Sequence, residues 1–389
     1  MARNGVWVGC FKDMGSESVV APPSWHAFQD GRNVSMLIEG KGGERFLKNY
    51  LSDLEENLSL PDIGTLAHSP LRCGGGVLDL SMGTDDFKKR PYGFDPMEYL
   101  TKRTYDVGEP LPAVVLVGES GPIYAERLIA HAVMRINRMF RQERPIRLVC
   151  CQDFWASGII VAPDVQWFDM AQVNDEYAAE LTLKTYHNLA ERDIVIRGNP
   201  GVKTVTVSDE VKRQYVGLKT KYDTVYFFSG GSEPTTSKEL GVLCESLLQT
   251  TGSLCLVVGW HPKLAETHGE KWRDIVKTFP CHVEEAVPGT GDQWGVTADV
   301  TVSSWSTIMT TAAYAGKDVI AIETPESRAH LGKRGMEQIP QVAMGWAEAI
   351  SEPRNLNDLG KICSAAREKL VPFDTRKAYE GIAELLERS

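Results

Sequence analysis

The chain of 389 residues exceeds a single core of about 100–200 residues and suits two domains. Its 42% apolar and 24% charged residues are ordinary globular values, which excludes fibrous repeats and extensive disorder. A net charge of −10 repels phosphate polymers, so non-specific nucleic-acid binding would need a local basic groove.

Apolar runs such as residues 113–117 and 254–258 fall far short of the roughly 18 residues that cross a bilayer, so no membrane span is expected. The N-terminal "MARNGVWVGCFKD" has no apolar signal-peptide core. Eight cysteines occur without Cys-x-x-Cys or zinc spacing, and Cys150, Cys151 and Cys255 lie in strand-like runs. Buried thiols in a reducing cytoplasm account for them, and a cytoplasmic location is expected.

In chain order, "NVSMLIEG" and "KGGERFLKNYLSDLEENL" predict a strand, a glycine turn and a helix. Residues 68–96 are punctuated by Gly and Pro and predict loops, and His26 and His68 are placed in loops as weaker site candidates. "PAVVLVGESGPIYAERLIAHAVMRINRMF" predicts a continuous apolar strand, a Gly-Glu-Ser-Gly turn and a long helix, and "PIRLVCCQDF" a further buried strand. Arg135, Arg138, Arg141, Arg144 and Arg147 recur every three residues, the spacing of a solvated basic helix face. "DIVIRG" and "KTVTVSDE" predict short strands, and "EVKRQYVGL" a brief helix before the boundary placed at residue 219. Beyond it, strands at 224–228, 254–258, 282–286, 300–303 and 319–322 alternate with helices at 237–248, about 271–278 and 307–315. Continuous apolar strands separated by helices predict an α/β fold with parallel sheets: two doubly wound, Rossmann-like domains. The expected organisation is an N-terminal domain over 1–218, a C-terminal domain over 219–372 and a closing helix over 373–389.

A doubly wound sheet binds ligands at the carboxyl ends of its strands. In the second domain those ends carry Ser229, Gly230, Gly231 and Ser232; then His261, Pro262 and Lys263 in "GWHPK"; then Ser303, Ser304, Ser306 and Thr307 in "VSSWSTIMTT". Glycines let a backbone approach phosphate, helix N-termini carry partial positive charge, hydroxyls donate, and His or Lys adds a cation. Taken singly, a Gly-Gly is a turn and a Ser before a helix is an N-cap. Taken together at one sheet edge, they predict a diphosphate or nucleotide pocket.

These segments resemble the donor domain of GT-B fold glycosyltransferases, whose two Rossmann-like domains face a cleft. "VYFFSGGSEPTTSKEL" resembles the glycine loop of the N-acetylglucosaminyltransferases of peptidoglycan synthesis. "LVVGWHPKL" and "ADVTVSSWSTIMTTAAYAGKDVIAI" resemble the His-Pro and Ser/Thr motifs of bacterial sialyltransferases and teichoic-acid glycerophosphotransferases. The resemblance covers roughly residues 222–355, and "QIPQVAMGWAEAISEPRNLNDL" resembles the closing segment of that domain. It implies that His261, Ser303, Ser304, Ser306 and Thr307 hold the donor phosphates and that residues 285–287 face the base. Many relatives have an acidic residue in the helix after the Ser/Thr motif, where this chain has Thr310 and Thr311. The N-terminal half matches none of these families closely. No Asp-x-Asp motif occurs, so no metal ion is inferred.

The resemblance implies a glycosyltransferase that takes a nucleotide-sugar, such as a UDP-sugar, as substrate, needs no separate cofactor, and acts on an unidentified glycan, lipid-linked or small-molecule hydroxyl. His261, Lys263 and the helix start after Ser306 would stabilise the departing phosphate. Glu119 in "VGESG" and Asp153 in "CQDFWASG", each following a buried strand, are the candidate bases. Trp155, Trp260 and Trp305 near strand ends could stack on a sugar or base, or belong to the core. Alternatives are a nucleotide-sugar 2-epimerase, a non-catalytic nucleotide- or glycan-binding protein, and a transferase acting on nucleic-acid bases along the arginine helix, which the charge disfavours.

Overall fold

The computed structural model describes residues 7–11, 14–32, 34–38, 45, 111–118, 125–139, 146–152, 167–200, 202, 204–230, 233–304, 306–332, 338–359 and 372–388. The chain divides into two compact units, one of Met1–Phe154, Gly158–Pro200 and Phe373–Ser389, the other of Trp155–Ser157 and Gly201–Pro372.

In the first unit, β1 (Trp7–Phe11), β2 (Val34–Ile38), β3 (Val114–Gly118), β4 (Arg147–Cys151), β5 (Met170–Val173) and β6 (Ile194–Ile196) form one sheet in the order β2-β1-β3-β4-β5-β6. Every pairing is parallel. Helices α1 (Met14–Gln29), α2 (Ala125–Met139) and α3 (Glu176–Thr185) connect the strands. The strands read as unbroken apolar runs because both faces are covered. Val115, Val117, Leu148 and Cys150 pack with Ile129, Val133 and Ile136 of α2, while Val114, Leu116, Val149 and Cys151 pack with Val19 and Val20 of α1. Neighbouring residues on a strand thus face different helical layers, as a period of two requires.

Several expectations change here. "KTVTVSDE" alternates like a strand, yet residues 204–208 are irregular and Ser208 caps α4 (Asp209–Lys219), accepting from the Val211 N–H at 3.4 Å. Local alternation promises a strand only where a neighbour is free to pair with it. The arginine series is not one helix face, because Arg135 and Arg138 stand on α2 whereas Arg147 opens β4 and pairs with Asp169 at 3.3 Å. Arg141 and Arg144 lie outside the described residues. His26 sits in α1, not in a loop, with Thr375 Oγ1 2.9 Å from its Nε2. Helix α1 contains Pro22 and Pro23, residues that read as breakers in sequence.

In the second unit, the chain runs β7 (Thr224–Gly230), α5 (Thr235–Gln249), β8 (Leu254–Trp260), α6 (Pro262–Val276) and β9 (His282–Glu285). It continues through α7 (Gly291–Thr297), β10 (Val300–Ser303), α8 (Thr307–Tyr314), β11 (Asp318–Ile322), α9 (Pro325–Gly332), α10 (Pro340–Ala343) and β12 (Glu348–Ile350). All pairings are parallel, in the order β12-β11-β10-β7-β8-β9. After β8 and β9 are laid outward from β7, the chain returns to β7's other side to place β10. That reversal puts a switch point at the carboxyl ends of β7 and β10, where doubly wound folds bind ligands. Phe227, Phe228, Val257 and Val302 are fully buried beneath it. Each such side chain contributes about 1.5–3 kcal/mol.

Helix α4 packs on β7 and α7, within the second unit. The last helix, α11 (Thr375–Glu387), returns to the first unit and packs on α1 and β5. Its Ile382 is fully buried, Tyr379 lies 5.6 Å from the Trp7 ring, and the Ala378 carbonyl accepts from Gln172 Nε2 at 2.6 Å. Gly381 permits the close approach to β6, since a Cβ there would lie 2.7 Å from Val195 Cγ2.

Candidate functional site

At the switch point, β7 and β10 are tied together by side chain as well as by sheet pairing. Ser303 Oγ donates to the Ser229 carbonyl at 2.8 Å, and both residues are buried. The next carbonyl, of Gly230, accepts from the His261 N–H at 3.2 Å, which joins the end of β7 to the start of α6. Three strand-end segments named in the sequence therefore meet as one unit. Gly230 is required by the protein's own packing: a Cβ would stand 2.8 Å from Thr236 Cγ2 on α5. Gly231 and Ser232 lie outside the described residues.

On the β10 side, Ser304 is buried and its hydroxyl donates to Glu239 Oε1 of α5. Ser306 is the N-cap of α8, its Oγ accepting from the Ile308 N–H at 3.2 Å, and Thr307 is exposed at the first helical position. The three serine hydroxyls thus have partners within the protein: a carbonyl, a carboxyl group and a helix N–H. Thr310 is buried and accepts from Gln341 Nε2 at 3.2 Å, while Thr311 donates to the Thr307 carbonyl at 3.3 Å.

His261 is exposed in the N-cap position of α6, followed by Pro262, whose fixed φ suits a first helical turn. Lys263 is in that first turn; its side chain is outside the described residues. Beside the glycine corner, Glu233 accepts from Ser237 Oγ at 2.6 Å, Trp272 Nε1 at 2.9 Å and Lys271 Nζ. Burial alone would push its carboxyl up, but these donors and the Lys271 charge outweigh burial and hold it down at about 2. At the end of β9, Glu285 makes a two-bond ion pair with Arg273, at 2.8 and 2.7 Å, and Val287 is exposed. Trp260 is a packing residue, 5.3 Å from the Trp272 ring and 6.4 Å from Phe228. Glu119, Asp153, Trp155, Trp305 and His68 lie outside the described residues.

Two groups escaped the sequence reading. Glu239 is 2% exposed, and burial, opposed by the Ser304 hydrogen bond, pushes its carboxyl up to about 8. The available signal was its position one residue before Leu240 and three after Thr236, on the face of α5 that is wholly buried. The second group lies in the first unit, where Gln152, Asn174, Asp175 and Arg197 are buried at the carboxyl ends of β4, β5 and β6. Gln152 Oε1 accepts from the Asn174 N–H at 2.9 Å, and the Gln152 carbonyl accepts from Arg197 Nη2. Asp175 caps α3, accepting from the Ala178 N–H at 2.8 Å, and burial pushes its carboxyl up to about 6. These residues went unnoticed because β5 itself, only four residues long, was not recognised.

Among the described residues, no helix is long and apolar enough to cross a membrane, and no group of His, Cys, Asp or Glu is disposed to hold a metal ion.

No protein-family model matches the chain, nor does any curated protein. Solved structures do match over nearly its full length. A glycosyltransferase from Rickettsia africae ESF-5 is 10% identical, with 99% of this chain and 98% of that one covered and a TM-score of 0.57. A UDP-N-acetylglucosamine 2-epimerase is 12% identical, covering 100% and 96%, with a TM-score of 0.53. Anabaena HepE, in complex with UDP and glucose, is 10% identical, covering 99% and 100%, with a TM-score of 0.52. Such likeness establishes the fold: two parallel-sheet α/β domains of the GT-B kind. Transferases and epimerases both have it, so the fold does not choose between them.

Proposed function

We propose that the second unit binds the phosphates of a nucleotide-sugar at the β7/β10 switch point, and that the protein is a glycosyltransferase that moves the sugar to a hydroxyl acceptor without a metal ion. The observation that carries this reading is the convergence of Ser229–Gly230, His261 and Ser303–Ser304 through two hydrogen bonds at the reversal of strand order. Donor phosphates are met by backbone N–H groups around Gly230 and at the start of α8, by the exposed Thr307, and by His261 and Lys263. The Ser303, Ser304 and Ser306 hydroxyls shape the frame. As the sugar–phosphate bond breaks, charge builds on the departing phosphate, where the α8 N-terminus, Lys263 and His261 stabilise it. The base that deprotonates the acceptor is assigned to the first unit, with Glu119 and Asp153 as candidates. The acceptor class stays open among glycans, lipid-linked sugars and small molecules, and a cytoplasmic site of action is proposed.

A nucleotide-sugar 2-epimerase is the second reading. It is favoured by the buried Asp175 at the first unit's strand ends, since abstracting a proton from carbon calls for a carboxylate of raised pKa.

Titration calorimetry with UDP, GDP, CDP, CMP and their sugars tests the donor site. Wild type is expected to bind one nucleotide, and His261→Ala and Ser304→Ala to weaken it at least tenfold while melting cooperatively. Equal affinity in both variants would overturn the site. Incubation with the bound nucleotide-sugar alone separates the two reactions, because only an epimerase turns it into its C2 epimer, whereas a transferase without acceptor at most hydrolyses it.

A further inference from the structure

Phosphate recognition by N–H groups, hydroxyls and cations leaves Glu239 unused, and an acidic group next to an anion site works against binding. It is nevertheless enclosed at the heart of the switch point. Thr236 and Leu240, its neighbours on the buried face of α5, are fully buried, and its carboxyl accepts the hydroxyl of Ser304, 65 residues away. An apolar residue of the same size would serve packing better, because a buried carboxyl without a cation is costly.

The charged groups on the elements around it are paired elsewhere or, like His261 and Lys263 at the start of α6, belong to the proposed donor site. Just before α5 stands Glu233, a second negative group, which Lys271 of α6 engages. After β11, Glu323 is paired with Arg328 at 3.1 Å. The ends of β7 and β10 and the start of α8 present Ser229, Gly230, Ser303, Ser306 and Thr307, all uncharged. Among the described residues, Glu239 enters no ion pair.

We propose that Glu239 is the positioning residue of the donor site and makes donor binding pH-dependent: its protonated carboxyl, held to Ser304, fixes the β10–α8 turn that receives the phosphates. The inference rests on the donor-site reading above. Loss of the proton would place a carboxylate behind the turn, where it repels the incoming phosphates. Conversely, bound phosphate favours the protonated carboxyl, so binding and protonation are reciprocally linked. The group titrates at about 8, which places the change in the mildly alkaline range. Above it, donor affinity falls about tenfold for each pH unit, the slope for uptake of one proton on binding.

The test is calorimetric titration of the intact protein with UDP and, separately, inorganic pyrophosphate from pH 6.5 to 9.5. Wild type should lose affinity above pH 8 with that slope. Glu239→Gln retains an acceptor for Ser304 and cannot ionise, so it should lack the tenfold-per-unit loss above pH 8. Glu239→Ala should bind at least tenfold more weakly than Glu239→Gln at pH 6.5. Should either acidic-site variant fail to fold, Ser304→Ala serves as the second probe and should move the wild-type transition by releasing the carboxyl from its partner. Wild-type binding with an unchanged alkaline slope in Glu239→Gln overturns the role of Glu239 and leaves the donor site standing. No binding by wild type of UDP, GDP, CDP, CMP or pyrophosphate at any pH overturns the donor site, and this inference with it.

Discussion

Ser303 donates from its side chain to the backbone carbonyl of Ser229 at 2.8 Å, a bond between residues 74 apart that joins the ends of β10 and β7. The same strands pair through Val300–Tyr226, Thr301–Phe227 and Val302–Phe228, so the hydroxyl extends the ladder by one step where the backbone leaves the sheet.

Ser303→Ala should therefore cost about 1–2 kcal/mol, the usual loss for a buried hydrogen bond. Urea unfolding at pH 7 measures it. Nucleotide affinity should fall in parallel if the two strand ends frame the phosphates as proposed, since they are no longer joined; a destabilised variant with intact affinity would separate the bond from the site.

Gly230→Ala forces a methyl against Thr236 Cγ2, 2.8 Å from where the Cβ would stand. Overpacking of this kind costs roughly 1–3 kcal/mol. In the double variant Gly230→Ala with Thr236→Ser, the obstructing methyl is gone and part of the loss should return. A double-mutant cycle on urea midpoints reads the coupling; strict additivity would show that the glycine is kept for another reason.

Glu233→Gln tests the acidic anchor beside the glycine corner. The wild-type carboxyl titrates at about 2 when folded, against an ordinary 4.5. A depressed folded value stabilises above the unfolded one, and the contribution fades as pH falls from 4.5 towards 2. The variant should lose about 2 kcal/mol at pH 7, allowing for solvent around the lysine; the side chain of Lys271 is 58% exposed. The gap between the two proteins should shrink below pH 4, and a gap independent of pH would refute the charge-based account.

Ile382→Ala in α11 empties a fully buried position in the first unit. A cost of about 2–4 kcal/mol follows from the lost methylene burial and the cavity. Hydrogen exchange should rise in β1, β3 and β5 and stay unchanged in β7, β8 and β10, since α11 packs within the first unit despite its place after the second in sequence. Uniform loss of protection would mean that the two units unfold together.

The second unit was the more legible half. Its strands are apolar runs bounded by Gly, Pro and Ser, and β7, β8 and β10 are followed by glycine or by helix N-cap residues. Helix α6 was expected near residues 271–278 but begins at Pro262, because "PKLAETHGEK" is polar enough to read as loop while the α6 interior is marked by Trp272 and Val276. In the first unit, β1, α1, β5 and α3 went unread. β5 has four residues and α1 carries two prolines, so local pattern gave little to work with. What decides them is pairing: β5 is held between β4 and β6, and α1 is held against β1 and α11.

The candidate site divides in the same way. Residue order alone placed Ser229, Gly230, His261, Ser303 and Ser304 at strand ends, because strand periodicity and helix starts are properties of neighbours in the chain. Only the tertiary structure gave their partners. Ser304 meets Glu239, Ser303 meets the Ser229 carbonyl, and Thr236 fills the space above Gly230. The two partners across β7 and β10 are chosen by strand order, and strand order follows from the long return from β9 to β10, a choice made by packing of whole elements and not by the residues that meet.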